Sequence, residues 1–348
     1  MVKFKRLSVE ADPDVHPYDL DADLDVYTSY QDRAKCSSVK SRRLVLVFAA
    51  PIAIAMATAG IAQDAEAQQR ARPSTSSPPA SYVPDNAFFI GLGGAFQGVN
   101  FGTQDVYFKG TADVYSSGAL ASSGSADGTG YLSMANAYVA ALSVQGGYFN
   151  KIPDSDWLWG AKLSYSYLGG TTASVPNALV PQAGSTTATG STVAVPFTGH
   201  VAMRSYDVKL THQMAFVPFI GRTFDNSFVY VGAGPTLSQI KTDLIETIGF
   251  AFGNGRPTDI SGLPVSFSSS NWVYGGTVII GISYFISPWW FFDLSYNYAI
   301  TRDQTGNFGG PFVNNRGVNG STGNGTLVGS NTGNAVTQGI TLTINKTL

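Results

Sequence analysis

The chain has 348 residues, a net charge of −2 and only 13% charged residues, against about 25% in ordinary soluble domains. That balance gives no footing for nucleic-acid binding, and no basic patch stands out. The lone Cys36 excludes a disulfide within the chain. Gly (39 residues), Ser, Thr, Asn and Tyr take the place of charge, a mix that suits β-structure with polar connections better than helices.

Residues 44–62, LVLVFAAPIAIAMATAGIA, form the one long apolar run. It follows Lys40, Arg42 and Arg43 and leads to Ala65-Glu66-Ala67, a small-x-small site. Basic, apolar and small-residue regions in that order read as a secretory signal peptide. The alternative is an uncleaved membrane anchor, which Pro51 and the Ala-rich end disfavour. The 43 residues ahead hold eight acidic groups and Cys36. They read as an unstructured extension, from a start codon set too far upstream or an extended signal sequence. Cys36 precedes the apolar run and so is no lipid-attachment site. Residues 68–86 are Pro/Ser-rich and read as a flexible periplasmic linker. The expected division is 1–67 extension plus signal peptide, 68–86 linker and 87–348 folded domain.

Eight alternating segments follow, each with the two-residue period of a β-strand. They lie at about 87–101, 135–149, 157–169, 202–218, 227–240, 271–286, 291–301 and 335–348. In FFDLSYNYAIT (291–301), Phe292, Leu294, Tyr296 and Tyr298 share one face, and Asp293, Ser295 and Asn297 the other. In the fourth segment Tyr206, Val208, Leu210, Met214 and Phe216 are read as one face, opposite Asp207, Lys209, Thr211 and Gln213.

The connections decide which face is inside. KIPDSD, FIGRTFDN and SP make short turns, whereas the other four connections run to roughly 30 residues each. In an up-and-down meander the short turns then share one end and the long loops the other, as in bacterial outer-membrane barrels. The expected fold is all-β, an eight-stranded antiparallel up-and-down transmembrane β-barrel. Its aromatic face meets lipid, and closure leaves no sheet edge in the membrane. Trp157, Trp159, Trp289 and Trp290 follow short turns and Trp272 follows a long loop, as an aromatic girdle requires.

YVGAG at 230–234 and GISYFISPWWFFDLSYNY at 281–298 resemble the OmpA-like, opacity-type eight-stranded outer-membrane barrels of Gram-negative bacteria. The resemblance implies an outer-membrane location with loops extracellular and the N-terminus periplasmic. It implies contact with outer-membrane lipid and lipopolysaccharide, and insertion by the barrel machinery through the last strand. It also implies a monomer with a porin-like or structural role. Two departures stand out. The peptidoglycan-binding domain that follows some such barrels is expected to be absent, and residue 348 is Leu where the family usually has an aromatic residue.

In this register Lys162, Asp207, Lys209 and Asp293 face the lumen, and Lys162 and Lys209 are the partners sought for Asp293. Two readings stay open: a mutually paired buried network, or the charge gate of a narrow pore. Barrels of this size that modify lipid A use His with Ser or acidic groups near the outer rim, which points to His200 and Ser205. HExxH, paired catalytic carboxylates and a Walker pattern are all absent, and GLGGAF (91–96) lacks a dinucleotide fingerprint. No catalytic residue, metal ligand or cofactor is therefore assigned. The long connections are expected to be mobile and hydrated, with VPNALVP and IGFAFG folding over the mouth or extending strands. The expected role is non-catalytic, with a narrow channel as first alternative and a lipid A-modifying enzyme as second.

Overall fold

The computed structural model describes residues 82–348 apart from 254–255, 316 and 318–319. The expected extension, signal peptide and most of the linker lie outside the described residues. The described chain forms one antiparallel sheet of thirteen strands. They are β1 (Asn86–Asn100), β2 (Thr103–Ser116), β3 (Ala119–Ser133), β4 (Ala137–Lys151), β5 (Trp157–Ala188), β6 (Ala194–Phe224) and β7 (Ser227–Gly253). β8 (Arg256–Asp259), β9 (Val265–Ser287), β10 (Trp290–Thr301), β11 (Gln304–Asn314), β12 (Thr322–Gly333) and β13 (Val336–Thr347) follow.

Eight of these strands contain the eight alternating segments, and their pairings return on themselves. β1 pairs β4 and β13, β5 pairs β4 and β6, β7 pairs β6 and β9, and β10 pairs β9 and β13. Around this lower ring the outward residues are apolar and aromatic, because each strand alternates as its sequence does. On β10, Phe292 and Tyr298 are 42% and 43% exposed while Asp293 is 2% exposed.

The simple eight-stranded barrel is corrected in one respect: the long connections are strands, not loops. β2–β3 and β11–β12 are hairpins joined to each other through β12 and β2. β3 is joined to the upper part of β5 through Ser122–Asp127. With the upper parts of β5, β6, β7 and β9 they build a second tier on the ring. VPNALVP and IGFAFG extend β5 and β7 into this tier. The connections looked like loops because β3 and β12 are mostly Gly, Ser, Thr, Ala and Asn, and the inward apolar residues of β2 and β11, such as Val106, Phe108 and Phe308, make runs too short to mark a strand. Long-range ladder pairing overrides that weak propensity.

The ring passes into the tier at bulges. Registers shift between Tyr167 and Thr171 on β5 and between Leu210 and His212 on β6. On β6 the extra residue is Thr211, since Leu210 and His212 face the consecutive residues Ile240 and Gln239. One extra residue sends every side chain beyond it to the other face. Hence Tyr206, Val208 and Leu210 are buried inside the tier, although Met214 and Phe216 on the same strand point outward.

Three layers fill the interior. Phe89, Phe149, Phe219, Phe228, Phe285 and Phe291 pack at the end that carries the short turns, with Phe285 and Phe291 rings 4.7 Å apart. A polar layer occupies the middle of the ring. An apolar core that includes Phe101, Phe108, Leu168, Met203, Tyr206, Leu210, Leu244 and Phe308 fills the tier.

Candidate functional site

The polar layer centres on Asp293, which β10 aims inward. Its Oδ1 accepts from the Tyr230 hydroxyl at 2.8 Å and from Ser283 at 3.0 Å. Its Oδ2 accepts from Gln145 Nε2 at 3.0 Å and from Lys162 Nζ at 3.1 Å. Lys162 also donates to the Tyr230 oxygen at 2.7 Å, with Nζ 4.9 Å from the centre of that ring. Lys162 and Asp293 are 3% and 2% exposed. A buried charge is tolerated when it is paired and its remaining bonding capacity is met, and here four donors converge on one carboxylate. Gln145 extends the network to Thr343 and Asn345 at 2.8 Å each. Gly91 makes room for it: a Cβ at that position would lie 1.9 Å from Asn345 Oδ1.

Above this cluster lies a cavity of about 30 Å³ lined by Gln97, Ser143, Gln145, Lys162, Gln213 and Thr236, among others. That is room for one or two waters. Gln97 Oε1 and Thr236 Oγ1 are buried there without a protein partner, as acceptors facing water would be. Below the network the phenylalanine layer closes the ring.

Of the four residues expected to face the lumen, the structure brings together Lys162 and Asp293. Lys209 and Asp207 stand elsewhere, and the Thr211 bulge is the reason: it places both on the outer face of the tier. There Lys209 Nζ lies 3.0 Å and Lys241 Nζ 3.2 Å from Asp243, while Ser205 donates to Asp207 at 2.5 Å. Burial pushes the Asp243 carboxyl up, but hydrogen bonds from Ser268, Lys209 and Lys241 outweigh it and hold the group below its ordinary value. Sequence reading missed Gln145, Tyr230 and Ser283 as partners of Asp293. Their inward position follows from strict alternation along β4, β7 and β9, the one signal that could have found them.

All five tryptophans are outward and partly exposed. Trp157, Trp159, Trp289 and Trp290 ring the end that carries the short turns, where Lys346 Nζ sits 6.0 Å from the Trp290 ring. Trp272 stands at the opposite margin of the apolar wall, stacked 6.1 Å from His212. His212 Nδ1 and the Tyr165 hydroxyl are 2.8 Å apart beside it.

His200 and Ser205 are not brought together. His200 packs against Phe250 and Phe252, at 5.2 and 5.3 Å between ring centres, and burial lowers its pKa. Ser205 faces Asp207. Among the described residues no group of three or more His, Cys, Asp or Glu side chains is arranged to hold a metal.

No family model matches the chain, and no curated protein matches it in sequence; the opacity-type motifs therefore stand as a resemblance. Among solved structures the chain is similar to outer-membrane β-barrel proteins. One is the outer membrane protein OprG from Pseudomonas aeruginosa, at 11% identity over 74% of this chain and 98% of that one, with a TM-score of 0.30. A second is Ail, the attachment invasion locus protein of Yersinia pestis, at 12% identity over 68% and 99%, with a TM-score of 0.20. A third is the outer membrane protease OmpT from Escherichia coli, at 9% identity over 74% and 97%, with a TM-score of 0.25. At these values the likenesses decide neither the fold nor the role of this chain.

Proposed function

We propose that the chain is an integral outer-membrane β-barrel of a Gram-negative bacterium with a non-catalytic, structural or surface role. In this reading the tier is extracellular and the short turns and N-terminus are periplasmic. The observation that carries it is the inversion of the lower ring, whose outer wall is apolar and whose middle holds a buried polar layer. On β10 the outward face runs Trp290, Phe292, Leu294, Tyr296, Tyr298, Ile300 without a polar break. At about 3.4 Å per residue and a tilt of roughly 40° that face is about 25 Å tall, the height of a transmembrane barrel's apolar band. A soluble protein would lose by exposing so large a contiguous apolar surface. Tryptophans at both margins support the same placement, because the amphipathic indole favours the interface. Lys346 near the lower margin reaches its headgroup zone as long cationic side chains do.

A structural role is favoured over conduction by the contents of the ring. The phenylalanine layer, the Lys162–Asp293 network, a cavity of about 30 Å³ and the apolar core of the tier succeed one another along the axis. Eight-stranded barrels are generally filled by side chains in this way. Planar-bilayer recording on the purified protein tests the point. The expected result is no unitary conductance from wild type or from Lys162→Ala. Steps abolished or enlarged by Lys162→Ala would make the pair a gate and replace this reading with a channel.

A further inference from the structure

The upper tier is not closed as the lower ring is. Its strands run β11-β12-β2-β3-β5-β6-β7-β9, and the two ends of that series face each other. Among the described residues no backbone hydrogen bond joins β9 to β11 above the Arg302 amide, which donates to the Tyr274 carbonyl at 2.9 Å at the base. Above that bond, side-chain contacts cross the seam. Phe267 and Phe308 lie 5.6 Å apart, and at the top Asn314 Nδ2 donates to the Asp259 carbonyl at 2.9 Å. Every other junction of the tier is a backbone ladder, so the seam is where separation costs fewest hydrogen bonds.

Behind the seam is a small polar chamber inside an otherwise apolar core. A cavity of about 10 Å³ is lined by Gln104, Thr242, Asn271, Gln304, Asn331 and Asn334 among others, and no charged group lines it. Gly306 on β11 forms its outer wall. A Cβ there would lie 2.7 Å from Asn331 Oδ1, 2.8 Å from Ser269 Oγ and 3.5 Å from Asn271 Nδ2. Asn331 is 6% exposed, and its Oδ1 has no well-formed hydrogen bond. The Tyr206 hydroxyl is buried beside the Asn331 amide. A buried acceptor without a donor is costly and calls for a ligand or water to supply it.

We propose that the tier opens at the β9–β11 seam, and that the opening gives lateral entry to a site at Gly306, Asn331, Ser269 and Asn271 for a small uncharged solute bearing hydrogen-bond donors. The moving part is the wing formed by β11–β12 and β2–β3, and its hinge is the ladder between β3 and β5. The closed chamber has room for one water, so anything larger enters only with the wing displaced. This inference does not depend on the membrane reading, because the seam lies wholly within the tier.

The test is done on the full chain in a Cys36→Ser background, with buried Gln104→Cys as reporter. Ser269→Cys and Gly306→Cys form the lock. A Cβ at 306 lies 2.8 Å from Ser269 Oγ, which puts two thiols at these positions within bridging reach of each other. Labelling at position 104 by neutral methyl methanethiosulfonate is followed by peptide mass. The expected result is labelling that falls at least tenfold when the oxidised lock is present and recovers on reduction. Equal rates with and without the lock, or no labelling in either state, overturn the seam as the entrance. A charged methanethiosulfonate of similar size reacting as fast as the neutral one overturns the uncharged solute. Should the locked variant fail to fold, nitroxides at Ser270→Cys and Thr305→Cys flank the same seam. Two distance populations are expected from dipolar spectroscopy, and a single narrow one contradicts the opening.

Discussion

Removing one partner of the buried pair gives the sharpest energetic prediction. Lys162→Met takes away the cation and leaves the Asp293 carboxylate with three neutral donors: Tyr230, Ser283 and Gln145. Asp293→Leu leaves the Lys162 ammonium with the Tyr230 oxygen as its one remaining hydrogen-bonded partner among those described. Each single change strands a charge out of water and is expected to cost about 3–5 kcal/mol. The double variant strands none. It is expected to cost well under the sum of the singles, giving a coupling of about 2 kcal/mol or more. The assay is equilibrium urea unfolding in lipid vesicles, followed by tryptophan fluorescence and by the heat-sensitive shift in electrophoretic mobility. Single costs below about 1 kcal/mol, or a strictly additive double variant, would refute the view that the network is desolvated and mutually dependent.

Other outcomes follow from the same geometry. Phe291→Ala removes a fully buried ring from the phenylalanine layer and is expected to lower stability by about 3–5 kcal/mol, readable in the same unfolding assay. Asp243 has its pKa depressed in the folded state, so its contribution is present above the ordinary carboxylate value and is lost as pH falls through the folded one. The thermal midpoint of wild type should therefore fall below about pH 4 more steeply than that of Asp243→Asn. Since the long connections are ladders and not hydrated loops, proteinase K added outside intact cells is expected to leave the span 82–348 largely uncut. Rapid cutting within 103–133 or 304–333 would restore the mobile-loop picture.

The strands of the lower ring were legible because burial on one side and an apolar surface on the other force a strict two-residue period. Phe292, Leu294 and Tyr296 against Asp293 and Ser295 carry that period without a break. The tier was illegible for the opposite reason. In β3, with the sequence ALASSGSADGTGYLS, the stretch 121–130 is small or polar on both faces and the ladder to β2 supplies the order, which no local pattern reveals. The Thr211 bulge was equally hidden. A single unpaired residue leaves the alternation intact on each side of it, so Lys209 and Asp207 read as lumenal from the sequence, and only the register with β7 reveals the skipped position. The Lys162–Asp293 pair was within reach because both residues sit in unbroken segments on the polar side of the alternation. Its hydroxyl and amide partners needed the register between strands.

The most direct test of the central claim, that the lower ring turns its aromatic face to lipid, uses nitroxides at Leu294→Cys and at Ser295→Cys in a Cys36→Ser background reconstituted in vesicles. The predicted result is a spin label at 294 relaxed by oxygen dissolved in the bilayer and protected from a water-soluble nickel chelate, with position 295 shielded from that oxygen. A label at 294 that the nickel chelate reaches as freely as it reaches an aqueous site would contradict the account.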